Sequence, residues 1–157
     1  CELIRILAEA AGPAGMVGCQ AQDFSSEHRP LNLKELQIMD ACKYGRILSA
    51  HFDMAAAVLS LPPEERKLLS RWGRHMGLLF QITDDMLDVS GTLEQMGKKS
   101  GQDEAMDKPT YVTVLGYEEA SRKARDEAEQ AAALAGSLPS FQDVLASLPM
   151  YLMERTK

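Results

Sequence analysis

Residues 80–89, FQITDDMLDV, set Asp84, Asp85 and Asp88 inside a run that is otherwise apolar. At about 100° per residue, Leu78, Leu79, Ile82, Met86 and Val89 share roughly one third of a helix's circumference, and Phe80 with Leu87 covers much of the opposite side. Gly77, Gln81, Asp84, Asp85 and Asp88 fall on the stripe that remains. The period therefore predicts a helix buried over most of its surface, with three carboxylates pointing the same way. Burying an unpaired carboxylate is costly, and mutual repulsion would raise the pKa values of the set, so something cationic must face them. Mg²⁺ suits that place, because hard divalent ions take oxygen ligands and Mg²⁺ commonly binds one or two carboxylates together with waters and substrate phosphates. Arg or Lys from another helix, or a solvated acidic face, would satisfy the same pattern without a metal.

Outward from this stretch, almost everything reads as helix. Pro63-Glu64-Glu65 opens the aspartate helix, with proline and acids in the first turn where the helix dipole favours them. Before it, residues 33–59 form a long run rich in Ala, Leu and Met, ended by Leu61-Pro62-Pro63. Residues 1–22 also carry helical spacing, interrupted at Gly12-Pro13, with Gly15 and Gly18 permitting close backbone approach. After the aspartates, residues 90–109 read as a loop or broken helix. Short and long helices follow over 110–115 and 117–134, the second carrying expected i,i+4 pairs Glu118 with Arg122 and Glu119 with Lys123. A last helix is expected near 141–155. There is no alternating strand pattern, so the expected class is all-α: one domain portion spanning 1–157.

Composition narrows the function. The 157 residues are 45% hydrophobic and carry a net charge of −6, which argues against a nucleic-acid partner. No apolar run is long enough to span a bilayer, so a soluble, cytoplasmic protein is expected. Cys1, Cys19 and Cys42 lie far apart without a CxxC pair, which suggests neither a zinc site nor a disulfide framework. His28, His51 and His75 are scattered, so no Ser-His-Asp or Cys-His arrangement is expected. Lysines supply the complementary charge. Lys43 lies on an apolar stripe with Met39, Ile47, Ala50 and Met54, Lys98 and Lys99 stand in the loop sequence GKKSGQD, and Lys108 precedes Pro109-Thr110-Tyr111. Acids to hold a metal and lysines to neutralise the remaining oxygens are what a diphosphate site requires.

The motifs resemble, in order and over nearly the whole chain, the trans-isoprenyl diphosphate synthases of the farnesyl and geranylgeranyl group. AGPAGMVGCQAQD resembles that family's glycine-glutamine-aspartate segment and ACKYGRILSA its lysine-threonine helix. GLLFQITDDMLD is similar to its second aspartate-rich motif, and GKKSGQD with KPTYVTVLG to the lysine-bearing elements that follow. The resemblance implies an isoprenoid-synthase helical bundle and a transferase that joins isopentenyl diphosphate to an allylic diphosphate. It implies Mg²⁺ or Mn²⁺ on Asp84, Asp85 and Asp88, with Asp84 the direct ligand. It further implies that Lys43 and Lys98 bind the allylic diphosphate and act in catalysis with Asp84. Gln81 would contact substrate, Phe80 would pack near the homoallylic one, Gln20 and Asp23 would face the same cavity, and Lys108 would stand at its mouth. A homodimer is the implied assembly.

Two positions depart from the family pattern, Tyr44 where a threonine is usual and Cys19 where a second glycine is usual. The first aspartate-rich motif is absent from these residues. The expectation is therefore that an N-terminal portion carrying it lies outside this chain, and that the 157 residues alone are inactive. A noncatalytic helical subunit that works by association with a complete synthase is the alternative. A terpene cyclase is disfavoured because DDMLD stands where such enzymes usually carry an Asn/Ser/Glu metal motif.

Overall fold

The computed structural model describes residues 1–26, 31–90, 109–139 and 141–155, and all regular structure among them is helical. In chain order the helices are α1 (Glu2–Ala11), α2 (Met16–Ser26), α3 (Leu33–Asp40), α4 (Arg46–Val58), α5 (Pro63–Ser90), α6 (Tyr111–Leu115), α7 (Tyr117–Ala135) and α8 (Gln142–Glu154). A π-helical turn, Ala41–Gly45, joins α3 to α4 without a break. No helix among the described residues is long and apolar enough to cross a membrane.

Local chemistry sets the boundaries. Asn32 caps α3 with its side chain on the Glu35 N–H, while the Glu35 carboxylate accepts from the Asn32 N–H. Gly12-Pro13 separates α1 from α2, and the turn leading into α2 winds tightly enough that a Cβ on Gly18 would overlap the Pro13 carbonyl. The expected helix over 33–59 is present but contains the π turn, where the Arg46 N–H reaches the Ala41 carbonyl five residues back. A π turn holds about one residue more than an α turn, so the 3.6-residue phase used to align Lys43 with Met39 and Ala50 does not carry through it.

Helix α5 is the spine of the bundle. Trp72, Leu79 and Ile82 along it are essentially inaccessible, and Phe52 of α4 meets the Trp72 ring edge-on at 4.8 Å. Against another side lies α7, whose Ala120, Ala124, Ala128, Ala131 and Ala135 are all buried. Small residues at every turn let the two backbones approach closely, which makes α7 an inward-facing helix despite its charged surface.

That packing changes the expected ion pairs on α7. Arg122 pairs with Glu119, while Lys123 turns to Glu127, 3.3 Å away, rather than to Glu119. Glu127 is only 7% exposed and lies 2.7 Å from His75 Nδ1 on α5, so His75 is part of a buried cross-helix contact rather than idle. Burial would raise the Glu127 pKa, but the His75 hydrogen bond and Lys123 outweigh it and hold the carboxyl below its ordinary 4.5. A depressed carboxyl pKa stabilises the fold above the unfolded value, and that contribution is lost as pH falls through the folded one. Glu127→Gln is thus expected to cost about 1–2 kcal/mol at neutral pH. In urea titrations across pH, the gap to wild type should close below 4.5. A gap that persists undiminished into acid would contradict this account.

Candidate active site

The aspartate-rich stretch lies in the last third of α5, but its three acids do not share one environment. Asp85 is 3% exposed and both of its oxygens are engaged: Oδ1 accepts from Gln81 Nε2 at 2.5 Å and Oδ2 from the Tyr111 backbone N–H at 2.8 Å. The second bond crosses 26 residues and fastens the start of α6 to α5. Thr110 caps α6, bonding the Thr113 N–H through its side chain, so the residues after Lys108 arrive in a fixed conformation. Tyr111 is fully buried. Its burial, with the carboxylates of Asp40, Asp85 and Glu127 nearby, pushes the phenol far above its ordinary pKa and keeps it neutral.

Asp84 lies on the flank of the same helix with its side chain 45% exposed. Its carboxylate is 3.5 Å from the Arg155 guanidinium, a residue the sequence reading did not single out. Arg155 Nη2 also donates to the Phe80 carbonyl and Thr83 Oγ1 at 3.3 Å, and its guanidinium stands 4.2 Å over the Phe80 ring. Burial lowers the Arg155 pKa and Asp84 opposes this, leaving the group a cation at neutral pH. The cation that the acidic stripe demands is thus supplied in part by the chain itself. Nothing in its spacing from Asp84 marks Arg155 in the sequence, because the contact depends on how the segment after α8 packs on α5.

Asp88 is 4% exposed and one helical turn beyond Asp84. Among the described residues, no group of three or more His, Cys, Asp or Glu side chains converges on one point that could hold a metal. Asp84 and Asp88 are hard oxygen donors on one side of α5, and their chemistry fits a Mg²⁺ that takes its other ligands from water and phosphate. Asp85 does not fit that role while both oxygens hold other groups.

The remaining expected site residues divide similarly. Phe80 is half-buried, with the Tyr44 ring centroid 6.2 Å from its own. Gln81 is 5% exposed and committed to Asp85. Gln20 is half-buried on α2. Lys98 and Lys108, and the side chains of Lys43 and Asp23, lie outside the described residues. The backbone of Lys43 belongs to the π turn, which packs against both α2 and α5. The expectation that the cysteines form no disulfide is overturned: Cys19 of α2 and Cys42 of this turn are bonded, with Cα atoms 6.0 Å apart. A pairing across 23 residues depends on how α2 packs against the turn, which spacing alone does not report.

Comparisons with known proteins bear on the same elements. A family model described as Polyprenyl synthetase matches residues 1–142. The farnesyl diphosphate synthase of Micrococcus luteus is 36% identical over 155 residues, covering 99% of this chain and 53% of that protein. The farnesyl diphosphate synthase of Bacillus subtilis (strain 168) is 36% identical over 146 residues, covering 93% and 49%. The crystal structure of a Helicobacter pylori geranyltransferase complexed with magnesium and isoprenyl diphosphate superposes with a TM-score of 0.82 at 32% identity, covering 97% of this chain and 50% of that one. The chain spans about half the length of the curated relatives it matches. With a match running through helices α1 to α7 and an all-α architecture shared with solved synthases, the chain belongs to the polyprenyl synthetase family.

Proposed function

We propose that this chain forms one acidic, diphosphate-facing wall of a prenyltransferase that condenses isopentenyl diphosphate with an allylic diphosphate to give a short trans-prenyl diphosphate of the farnesyl or geranylgeranyl type. The observation that carries the reading is the division of labour within DDMLD. Asp85 ties α5 to the element that begins after Lys108, while Asp84 remains half-exposed beside a cation. The opposite acidic wall, with the family's first aspartate-rich motif, would come from residues outside 1–157, in the same or another polypeptide.

In this reading Asp84 and Asp88 would hold Mg²⁺ or Mn²⁺, which when bound supplies positive charge to the departing diphosphate. Lys43 and Lys98 bind the same diphosphate, and Lys108 adds charge at the cavity mouth. Phe80, with Gln20 and Asp23, lines the cavity. Gln81 acts as a positioning residue through Asp85 rather than on substrate directly. Catalysis is then stabilisation of leaving-group charge in a site that excludes water, since water would quench the allylic cation before the double bond of isopentenyl diphosphate attacks it. A homodimer is the proposed assembly. The noncatalytic-subunit reading is not favoured, because the relatives matched over nearly the whole chain are farnesyl diphosphate synthases and this chain keeps the DDMLD acids with Lys43 and Lys98.

The test is metal-dependent turnover by the full-length protein, with isopentenyl diphosphate and an allylic diphosphate as substrates and chelation as the control. No turnover, but an altered rate or product length on adding a separate synthase, would establish the subunit reading instead. Residues 1–157 alone are expected to be inactive. Arg155 offers a second check, because a metal at Asp84 must share the carboxylate with it. In the full-length protein, Arg155→Met is expected to tighten Mn²⁺ binding roughly fivefold, the equivalent of about 1 kcal/mol for a partly exposed ion pair. Unchanged or weaker binding, measured by calorimetry without substrate, would remove Asp84 from the metal set.

A further inference from the structure

Two positions that face each other in the structure are both cysteine: Cys19, where the family pattern noted above has a glycine, and Cys42, immediately before Lys43. Their bond staples α2, in the residue before Gln20, to the π turn that carries Lys43. The turn is also held by α5, which meets it through Gly77, where a Cβ would sit 2.7 Å from Gly45 Cα. A covalent tie to α2 and a close glycine contact with α5 leave the turn little freedom. The third cysteine, Cys1, is exposed and unbonded.

We propose that Cys19 and Cys42 are a reversible redox clamp, and that closing it fixes the π turn in the conformation that binds diphosphate. The second half of this rests on the diphosphate reading of Lys43; the first half does not. The chemistry is thiol–disulfide exchange with a small disulfide, RSSR, as oxidant. Cys42 is partly exposed whereas Cys19 is buried, so Cys42 is the thiol reached first. The Cys42 thiolate attacks one sulfur of RSSR, forming a mixed disulfide and releasing RS⁻. Cys19, 5% exposed and within bonding range, then attacks Cys42 Sγ and releases the second RS⁻. The two protein protons end on the two RSH formed, so two protein thiols and one small disulfide give one protein disulfide and two small thiols. Excess dithiol reverses the sequence.

The experiment uses the full-length protein equilibrated with either a small disulfide or a dithiol. Differential alkylation is read on the separate tryptic peptides that carry Cys19 and Cys42. Both should be protected after oxidation and both labelled after reduction. Cross-linking removes loop freedom from the unfolded chain, so reduction is expected to lower the melting temperature by about 5–15 °C. Binding of inorganic pyrophosphate, with Mg²⁺ present, should weaken about threefold to tenfold because the turn is no longer pre-organised. Cys42→Ser should show the reduced behaviour under both conditions; should it fail to fold, the wild-type pair of states carries the comparison. Labelling of both peptides after oxidation overturns the clamp. A disulfide that forms without changing melting temperature or pyrophosphate affinity overturns the coupling. Absence of pyrophosphate binding in both states, with the melting shift intact, supports the clamp and overturns the diphosphate reading.

Discussion

Asp84→Ala in the full-length protein is expected to lower the condensation rate on the order of 10²–10³-fold, the scale lost with one preorganised electrostatic group, while leaving the melting temperature nearly unchanged. The asymmetry follows from its surroundings. Asp84 is 45% exposed and its contact with Arg155, at 3.5 Å, is a long one, so little folding energy depends on it. Asp85→Ala, one residue away, is expected to do the reverse first. It leaves the Tyr111 N–H and Gln81 Nε2 without their acceptor in a site that is 3% exposed, at a cost of about 2–4 kcal/mol. Steady-state kinetics and urea unfolding on both variants separate the two roles. Wild-type activity in Asp84→Ala would sink the site assignment, and wild-type stability in Asp85→Ala would sink the tie between α5 and α6.

The second large effect is expected from a single methyl group. In Gly77→Ala the new Cβ would stand 2.7 Å from Gly45 Cα, 2.9 Å from Gly45 N and 3.0 Å from the Tyr44 carbonyl oxygen, all of them backbone atoms. Backbone cannot swing aside as a side chain does, so the π turn or α5 must shift, at a cost of about 1–3 kcal/mol or more. Since the same turn carries Lys43, pyrophosphate binding should fall with stability. Gly136→Ala is the control: its Cβ would meet nothing closer than 3.4 Å, and it should stay close to wild type. Equal unfolding midpoints for the two variants would show that α5 does not bear on the turn as described.

The helices were readable because their signals are local. Pro63 with Glu64 and Glu65 marks the start of α5, Gly12-Pro13 the break after α1, and Gly116 the junction between α6 and α7. Each depends on propensity, capping or dipole within a few residues. What escaped were features in which distant segments meet. The π turn looks like ordinary helix in its sequence, ACKYG, because its extra residue is accommodated against α2 and α5 rather than demanded by any residue type. Lys123 and His75 gave no sign of their common partner, Glu127, because that pairing needs the alanine face of α7 seated on α5.

The acidic stretch separates the two levels most clearly. Hydrophobic period and charge spacing were enough to require a helix, to set three aspartates on it and to demand a cation, since all three follow from the geometry of a few successive helical turns. They could not say that the aspartates differ. Asp85 is drawn inward because an unpaired backbone N–H at the start of α6 lies there to be satisfied, while Asp84 keeps its partial exposure beside Arg155, 71 residues later in the chain. Neighbours in sequence share a helix, but only packing chooses which of them spends its oxygens on the fold and which keeps them for a ligand.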